Sequence, residues 1–321
     1  MSMRRHTLLA FVAAMLCALL VREPVQAREL TVGARHLLKV PSQAATVAMA
    51  GDVVRIEAGV YADCAVWRAP HLTIEAVGGA VRITGPVCDN KGLFVVAAND
   101  VTVRGITFAG AVDTWSNGAG IRGLGDNLTV EGSQFIDNQD GILTAGGPDS
   151  VVRVTNSVFF GNGACIGECA HGIYAGTANR LLDIEHCVFA NTRTGHHIKS
   201  RARNTVVEDS TIEDGSAGTA SYLIDVPNGG NVLIDGNEME KGPKSENPEV
   251  AISIGVEGVT NPTQVLIIKN NRFRNDVGEP TIFVRNSTET PAEVRDNKMS
   301  GPVMLLRGAG GLPLSPWSSR R

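Results

Sequence analysis

Eight short segments of one pattern recur through the chain and constrain its fold more than any other feature. They run Val103-Arg-Gly-Ile-Thr-Phe108, Val130-Glu-Gly-Ser-Gln-Phe135, Val154-Thr-Asn-Ser-Val-Phe159 and Ile184-Glu-His-Cys-Val-Phe189. The series continues with Val207-Glu-Asp-Ser-Thr-Ile212, Ile234-Asp-Gly-Asn-Glu-Met239, Ile268-Lys-Asn-Asn-Arg-Phe273 and Val294-Arg-Asp-Asn-Lys-Met299. Position three is always Gly, Asn, Asp or His, residue types that tolerate a sharp bend. Successive copies begin 23 to 34 residues apart, so the period is kept while the loops vary. A strand-bend-strand unit of this size cannot bury its apolar face alone, whereas stacked copies share one continuous core. The repeat therefore predicts an all-β fold, a single-stranded parallel β-helix with rungs ~4.8 Å apart and like positions laddered along its axis. Position four (Ser133, Ser157, Cys187, Ser210, Asn237, Asn271, Asn297) reads as an inward polar ladder. Cys187 is then a small buried residue rather than a reactive thiol.

The two ends differ in character. Residues 1–27 read as a secretory signal peptide: Arg4 and Arg5 precede an apolar run, and Val25-Gln26-Ala27 offers small residues for cleavage. That run is too short for a comfortable membrane span, and no later stretch qualifies. Loss of this segment takes the formal net charge from −4 to −6. So acidic a chain is a poor partner for nucleic acid, which is bound mainly by neutralising phosphates. Export to the periplasm or the medium would permit disulfides. Cys64 and Cys88 lie about one coil apart and can bridge neighbouring rungs, while Cys165 and Cys169 can close a loop. The domain is expected over 28–305, as a monomer, with a disordered tail over 306–321.

The stretch "PSQAATVAMAGDVVRIEAGVYAD" reads as a short helix from about Ser42 to Ala50, a Gly51-Asp52 stop and an alternating strand. It resembles the opening of right-handed parallel β-helix proteins of the pectate-lyase-like superfamily. That resemblance implies an N-terminal helix capping the open end of the core, which would otherwise be an exposed edge.

"GHHIKSRARNT" (195–205) gathers two histidines, a lysine and two arginines in a chain with only 7 histidines. Gly120-Ile121, Gly141-Ile142 and Gly172-Ile173 each open a further strand, and Gly195-His196 is read as the same slot. Strand alternation then points His196, Ile198 and Ser200 inward, and His197, Lys199 and Arg201 outward. Tyr174 becomes the neighbour of His197 on one side, and Asp225 the neighbour of Lys199 on the other. Long connections, 13 or 14 residues, flank short ones of seven, so walls are expected around this floor.

The resemblance extends to polysaccharide lyases and C5-epimerases, whose groove on such a sheet holds an acidic sugar chain. Proton removal beside a uronate carboxylate builds negative charge that a cation must meet. Arg201 suits the carboxylate. Lys199 and His197 form the candidate acid–base pair. Tyr174, Asp225, Trp115 and Arg203 are candidate substrate contacts, Trp115 as a stacking platform. The leading expectation is an exported lyase or C5-epimerase acting on a uronate polysaccharide. The alternatives are a non-catalytic glycan-binding β-helix and, third, a glycoside hydrolase using Asp225 and Glu257. No metal site is expected; calcium is the one cofactor the resemblance offers, and no dense acidic run marks a place for it. Charged residues on an outer sheet face also keep such folds soluble, which is the competing account of the cluster.

Overall fold

The computed structural model describes residues 27–310. The predicted repeat is the coil of a parallel β-helix. In one coil, strand Val151–Thr155 leads through a corner at Asn156 to Val158–Phe160, and a third strand, Ile173–Ala175, completes the turn. Strands of the first two kinds form a nineteen-stranded sheet that bends at the corners, and the third kind forms a ten-stranded sheet. Pairing between coils is parallel and in register, as in Val152↔Leu182 and Phe159↔Phe189.

The corner follows from position three. All eight residues there, Gly105, Gly132, Asn156, His186, Asp209, Gly236, Asn270 and Asp296, have φ between 47° and 71°. That left-handed conformation is open to glycine and tolerated by Asn, Asp and His. Position four then turns inward as expected. Ser210 N–H donates to Asn237 Oδ1 at 3.0 Å, Asn237 N–H to Asn271 Oδ1 at 2.9 Å, and Asn271 N–H to Asn297 Oδ1 at 2.9 Å. Cys187 N–H donates to Ser210 Oγ, and burial pushes the Cys187 thiol up to about 11. Position six stacks Phe108, Phe135, Phe159 and Phe189 with ring centroids 4.5–5.3 Å apart. In this interior, buried main-chain amides are satisfied by side chains of the next coil, which a core of hydrocarbon alone could not do.

The helix spans Pro41–Val47, shorter than the expected Ser42–Ala50 because Ala48 is already extended. Its buried Ala44 lies over strand Ala65–Trp67 at the end of the core. At the other end, strand Val303–Gly308 carries the β-helix past the expected limit at 305, pairing with Thr281–Asn286. Residues 1–26 of the signal peptide expected over 1–27, and residues 311–321 of the expected tail, lie outside the described residues. Both cysteine pairs are bonded, Cys64 to Cys88 and Cys165 to Cys169. The second closes an antiparallel hairpin, Ala164–Ile166 with Glu168–Ala170.

Replacing Asn237 by alanine removes an acceptor from the Ser210 amide and donors from the Val207 and Asp235 carbonyls. At ~1–3 kcal/mol per buried group left unpaired, a loss of about 3 kcal/mol is expected in denaturant unfolding. Asn237→Ser, which restores the ladder residue of earlier coils, should lose less than half of that.

Candidate functional site

The outer face of the ten-stranded sheet carries the charged cluster. Strand His196–Ser200 lies between Ile173–Ala175 and Tyr222–Val226, with Lys199 opposite Tyr174 on one side and Asp225 on the other. Lys199 and Arg201 face outward, yet only 12% and 17% of their side chains are exposed. Both cations sit over the Tyr174 ring, 5.7 and 5.8 Å from its centroid. Arg201 Nε–H donates to Tyr174 Oη at 2.8 Å, and a second Arg201 nitrogen donates to Asn228 Oδ1.

Glu257 closes the cluster. Its Oε1 accepts from Lys199 Nζ at 3.3 Å and its Oε2 from Arg201 at 2.6 Å. Burial works against its charge, but the Arg201 hydrogen bond and the charges of Lys199 and Arg201 prevail and hold Glu257 below its ordinary value. Beneath this bridge lies Asp225. Its Oδ2 is 3.9 Å from Lys199 Nζ and 3.5 Å from His196 Nε2, while its Oδ1 is buried without a partner. Burial pushes Asp225 up to about 7; Lys199 opposes the rise and Glu257 adds to it.

The two adjacent histidines exchange the faces expected of them. The chain turns at Gly195 with φ 69°, and regular pairing skips residue 197: His196 pairs with Tyr222 and Ile198 with Ile224. Alternation does not carry across that break. His197 is 0% exposed, with Nδ1 facing Thr192 Oγ1 and Nε2 facing Asp214 Oδ1, each at 2.8 Å. It has no access to the groove, so the catalytic role expected of it is withdrawn. Gly120, Gly141 and Gly172 hold the equivalent place in earlier coils, where a Cβ would come within 2.7, 2.7 and 3.4 Å of Phe135, Phe159 and Phe189. The next residue in that phenylalanine column is Ile212. The slot equivalent to Gly-Ile is thus His197-Ile198, and this connection is nine residues long, not seven. It follows that Tyr174 neighbours Lys199 rather than His197.

His196 instead stacks in the groove between His171 and Tyr222, 4.8 and 4.9 Å from each. Each main-chain amide of this column donates to the side chain of the previous coil. His171 N–H reaches Asp140 Oδ1 at 2.7 Å, His196 N–H reaches His171 Nδ1 at 3.0 Å, and Tyr222 N–H reaches His196 Nδ1 at 3.2 Å. A ring nitrogen that accepts an N–H carries no proton, so both imidazoles are neutral and present Nε2–H. Burial, aided by the charges of Lys199 and Lys241, takes His196 down to about 3. Burial, aided by the charges of Lys199 and Arg201, takes His171 well below its ordinary value. These rings can donate a hydrogen bond to a ligand; they are not bases.

Other expected residues spread along the same face. Trp115 is 75% exposed, on a loop braced against the disulfide hairpin by a 2.9 Å bond from Ile166 N–H to Ser116 Oγ. Arg203 turns to the Pro148 carbonyl and lies outside the cleft, about 450 Å³, that Tyr174, His196, Lys199 and Arg201 line. Further on, Arg285 donates to Tyr222 Oη at 2.6 Å, repeating the Arg201–Tyr174 clamp. Reading the chain by columns rather than by the one dense segment would have found His171, Tyr222 and Arg285. Beneath the floor, Lys241 is buried and donates to the Ser221 carbonyl at 2.7 Å; burial pulls it down to about 8. Among the described residues no three His, Cys, Asp or Glu side chains gather as a metal site, so the donor set does not suit calcium. No helix among them is long and apolar enough to cross a membrane.

A family described as "Right handed beta helix region" matches residues 166–312. The chain folds as a right-handed parallel β-helix. Pectin methylesterase from Aspergillus niger is similar at 12% identity, over 89% of this chain and 92% of that one, with a TM-score of 0.42. A pectin methylesterase bound to a hexasaccharide is similar at 12% identity, over 82% of this chain and 71% of that one, with a TM-score of 0.33. At these scores the matches carry no argument about activity. No curated protein matches the sequence.

Asp225 sets a pH dependence. Its folded value near 7 lies above the ~3.9 of an unfolded chain. Between those values the folded protein keeps a proton that the unfolded chain gives up, so this group's contribution to stability falls as pH rises. Asp225→Asn lacks that slope. Its stability relative to wild type should improve by about 1.4 kcal/mol per pH unit between pH 4.5 and 6.5 in denaturant titrations. A pH-independent difference would mean that Asp225 ionises normally.

Proposed function

We propose that this groove binds a uronate-containing polysaccharide and acts on it as a lyase or C5-epimerase. The observation that carries the reading is Glu257, which lays one carboxylate oxygen on Lys199 and the other on Arg201. The pair is thereby a carboxylate site already filled from within the chain, and a sugar carboxylate entering the groove would replace Glu257 there. Lys199 thus joins Arg201 as a carboxylate partner, and proton transfer falls to Tyr174, whose oxygen receives the Arg201 N–H.

The Tyr174 oxygen serves as the base that takes the proton at C5 of the sugar, and the C–H electrons move into the carboxylate as an enolate-like dianion. Lys199 and Arg201 meet that charge. For a lyase the dianion collapses to a C4–C5 double bond, the C4–O bond breaks, and the departing oxygen recovers the proton. For an epimerase a water on the other face reprotonates the carbon, and the hydroxide left behind recovers the proton from Tyr174. Asp225 positions Lys199 and His196 from below. Hydrolysis fits less well, because Asp225 is buried and Glu257 is tied to both cations. The two disulfides suit an oxidising compartment, which supports export to the periplasm or the medium.

Incubation with alginate, pectate and glycosaminoglycans tests the activity. An unsaturated-uronate chromophore identifies a lyase, and proton exchange at C5 without chain cutting an epimerase. Binding with neither signal makes the protein a glycan-binding β-helix. The carboxylate site is tested separately by calorimetry with polyuronate oligosaccharides. Lys199→Met should weaken binding at least tenfold, the loss of one charge-assisted contact. Glu257→Gln should strengthen it, since the internal competitor is gone. Weakening by Glu257→Gln would contradict the reading.

A further inference from the structure

A second cleft, about 550 Å³, lies on the same sheet face toward the N-terminal end of the β-helix. It shares Glu168, Cys169 and Tyr174 with the cleft at Lys199 and Arg201, so the two are parts of one groove. Arg122 lies three coils from Lys199 in the sheet register, through Leu143 and Tyr174. At ~4.8 Å per coil that is about 14 Å, room for more than one sugar ring.

The chemistry of this cleft differs from that of its neighbour. Its single cation, Arg122, faces the carboxyl groups of Asp140 and Asp113 and donates to Asn117 Oδ1 at 2.5 Å. Arg122 Nε and Asp113 Oδ2 are both buried without partners. Asp140 is 2% exposed, spends its Oδ1 on the His171 amide, and is pushed by burial up to about 8, hence uncharged at neutral pH. One arginine set among two carboxyl groups, with Glu168 at the rim, leaves no net positive charge for a sugar carboxylate. The lining still offers donors and acceptors for hydroxyls, among them the Arg122 guanidinium, the Asn117 amide and the Asp140 carboxyl group. Over the cleft stands Trp115, three-quarters exposed. The Trp115 loop is held in place by Asp113 Oδ1, which accepts from the Trp115 and Asn117 amides at 2.8 Å, and by the disulfide hairpin through Ser116. A fixed, exposed aromatic face over a polar pocket suits the apolar face of a sugar ring above and its hydroxyls below.

We infer that the cleft at Trp115, Arg122 and Asp140 is a subsite for an uncharged sugar residue, so that the groove selects chains in which uronate and neutral sugars both occur. The inference rests on the carboxylate site proposed above for its neighbour. It makes Trp115 a specificity residue rather than a catalytic one.

The test is calorimetric binding of three hexasaccharides by the full-length mature protein and by Trp115→Ala. The probes are a hyaluronan hexasaccharide (alternating uronate and neutral sugar), hexagalacturonate and neutral xylohexaose. Trp115 is three-quarters exposed, so the variant should retain the wild-type unfolding curve. The wild type should bind the alternating probe about tenfold more tightly than hexagalacturonate, about what one stacking contact is worth. Trp115→Ala should lose that preference and leave hexagalacturonate binding unchanged. Equal losses on both acidic probes, or wild-type preference for hexagalacturonate, would overturn the subsite. Trp115-dependent binding of xylohexaose with no binding of either acidic probe would keep the subsite and overturn the carboxylate reading. No binding of any probe would overturn both.

Discussion

Parallel, in-register hydrogen bonding between successive coils is the constraint on which everything else rests. It places the same position of every repeat ~4.8 Å from its counterparts. Residues 20 to 34 apart in sequence therefore become nearest neighbours, and each column acquires a collective property. Inside, Asn237, Asn271 and Asn297 pass amide hydrogen bonds from coil to coil. At the corner, eight left-handed residues let each strand turn without a loop. Outside, the same spacing sets Tyr174, Lys199 and Asp225 side by side across three coils.

The groove inherits its protonation states from this stacking. Because the amides of His171, His196 and Tyr222 each donate to the side chain of the previous coil, the backbone itself selects the imidazole tautomer. Two buried rings are held neutral as donors while two cations, three and five residues on from His196, hold a carboxylate. Such separation of roles within one strand comes from the break in alternation at residue 197, which sends one histidine under the floor and leaves the other on it.

That break also marks where the sequence was legible and where it was not. The eight-copy pattern carried the coil, its corners and its polar ladder, because each depends on residue type at a fixed position. Lys199 and Arg201 were placed outward, and Asp225 beside Lys199, from the same alternation. Counting from Gly195-His196 failed because the equivalence runs through Ile198, not through the glycine; the place of Gly172 is taken by His197 where the facing phenylalanine column gives way to Ile212. Glu257 stands in a loop 58 residues from Lys199, and nothing in its local sequence announces that it bridges two cations. The helix end and the last strand differ from expectation by only a few residues, the usual imprecision of boundaries set by capping rather than by periodicity.

The central claim is that Lys199 and Arg201 form a receptor for a sugar carboxylate, kept occupied by Glu257 until a ligand arrives. A crystal structure of the protein soaked with a uronate oligosaccharide tests it most directly. The account predicts a uronate carboxylate between Lys199 Nζ and the Arg201 guanidinium, with the Glu257 side chain swung away. Ordered sugar bound elsewhere on the molecule, with Glu257 still bridging both cations, would contradict it.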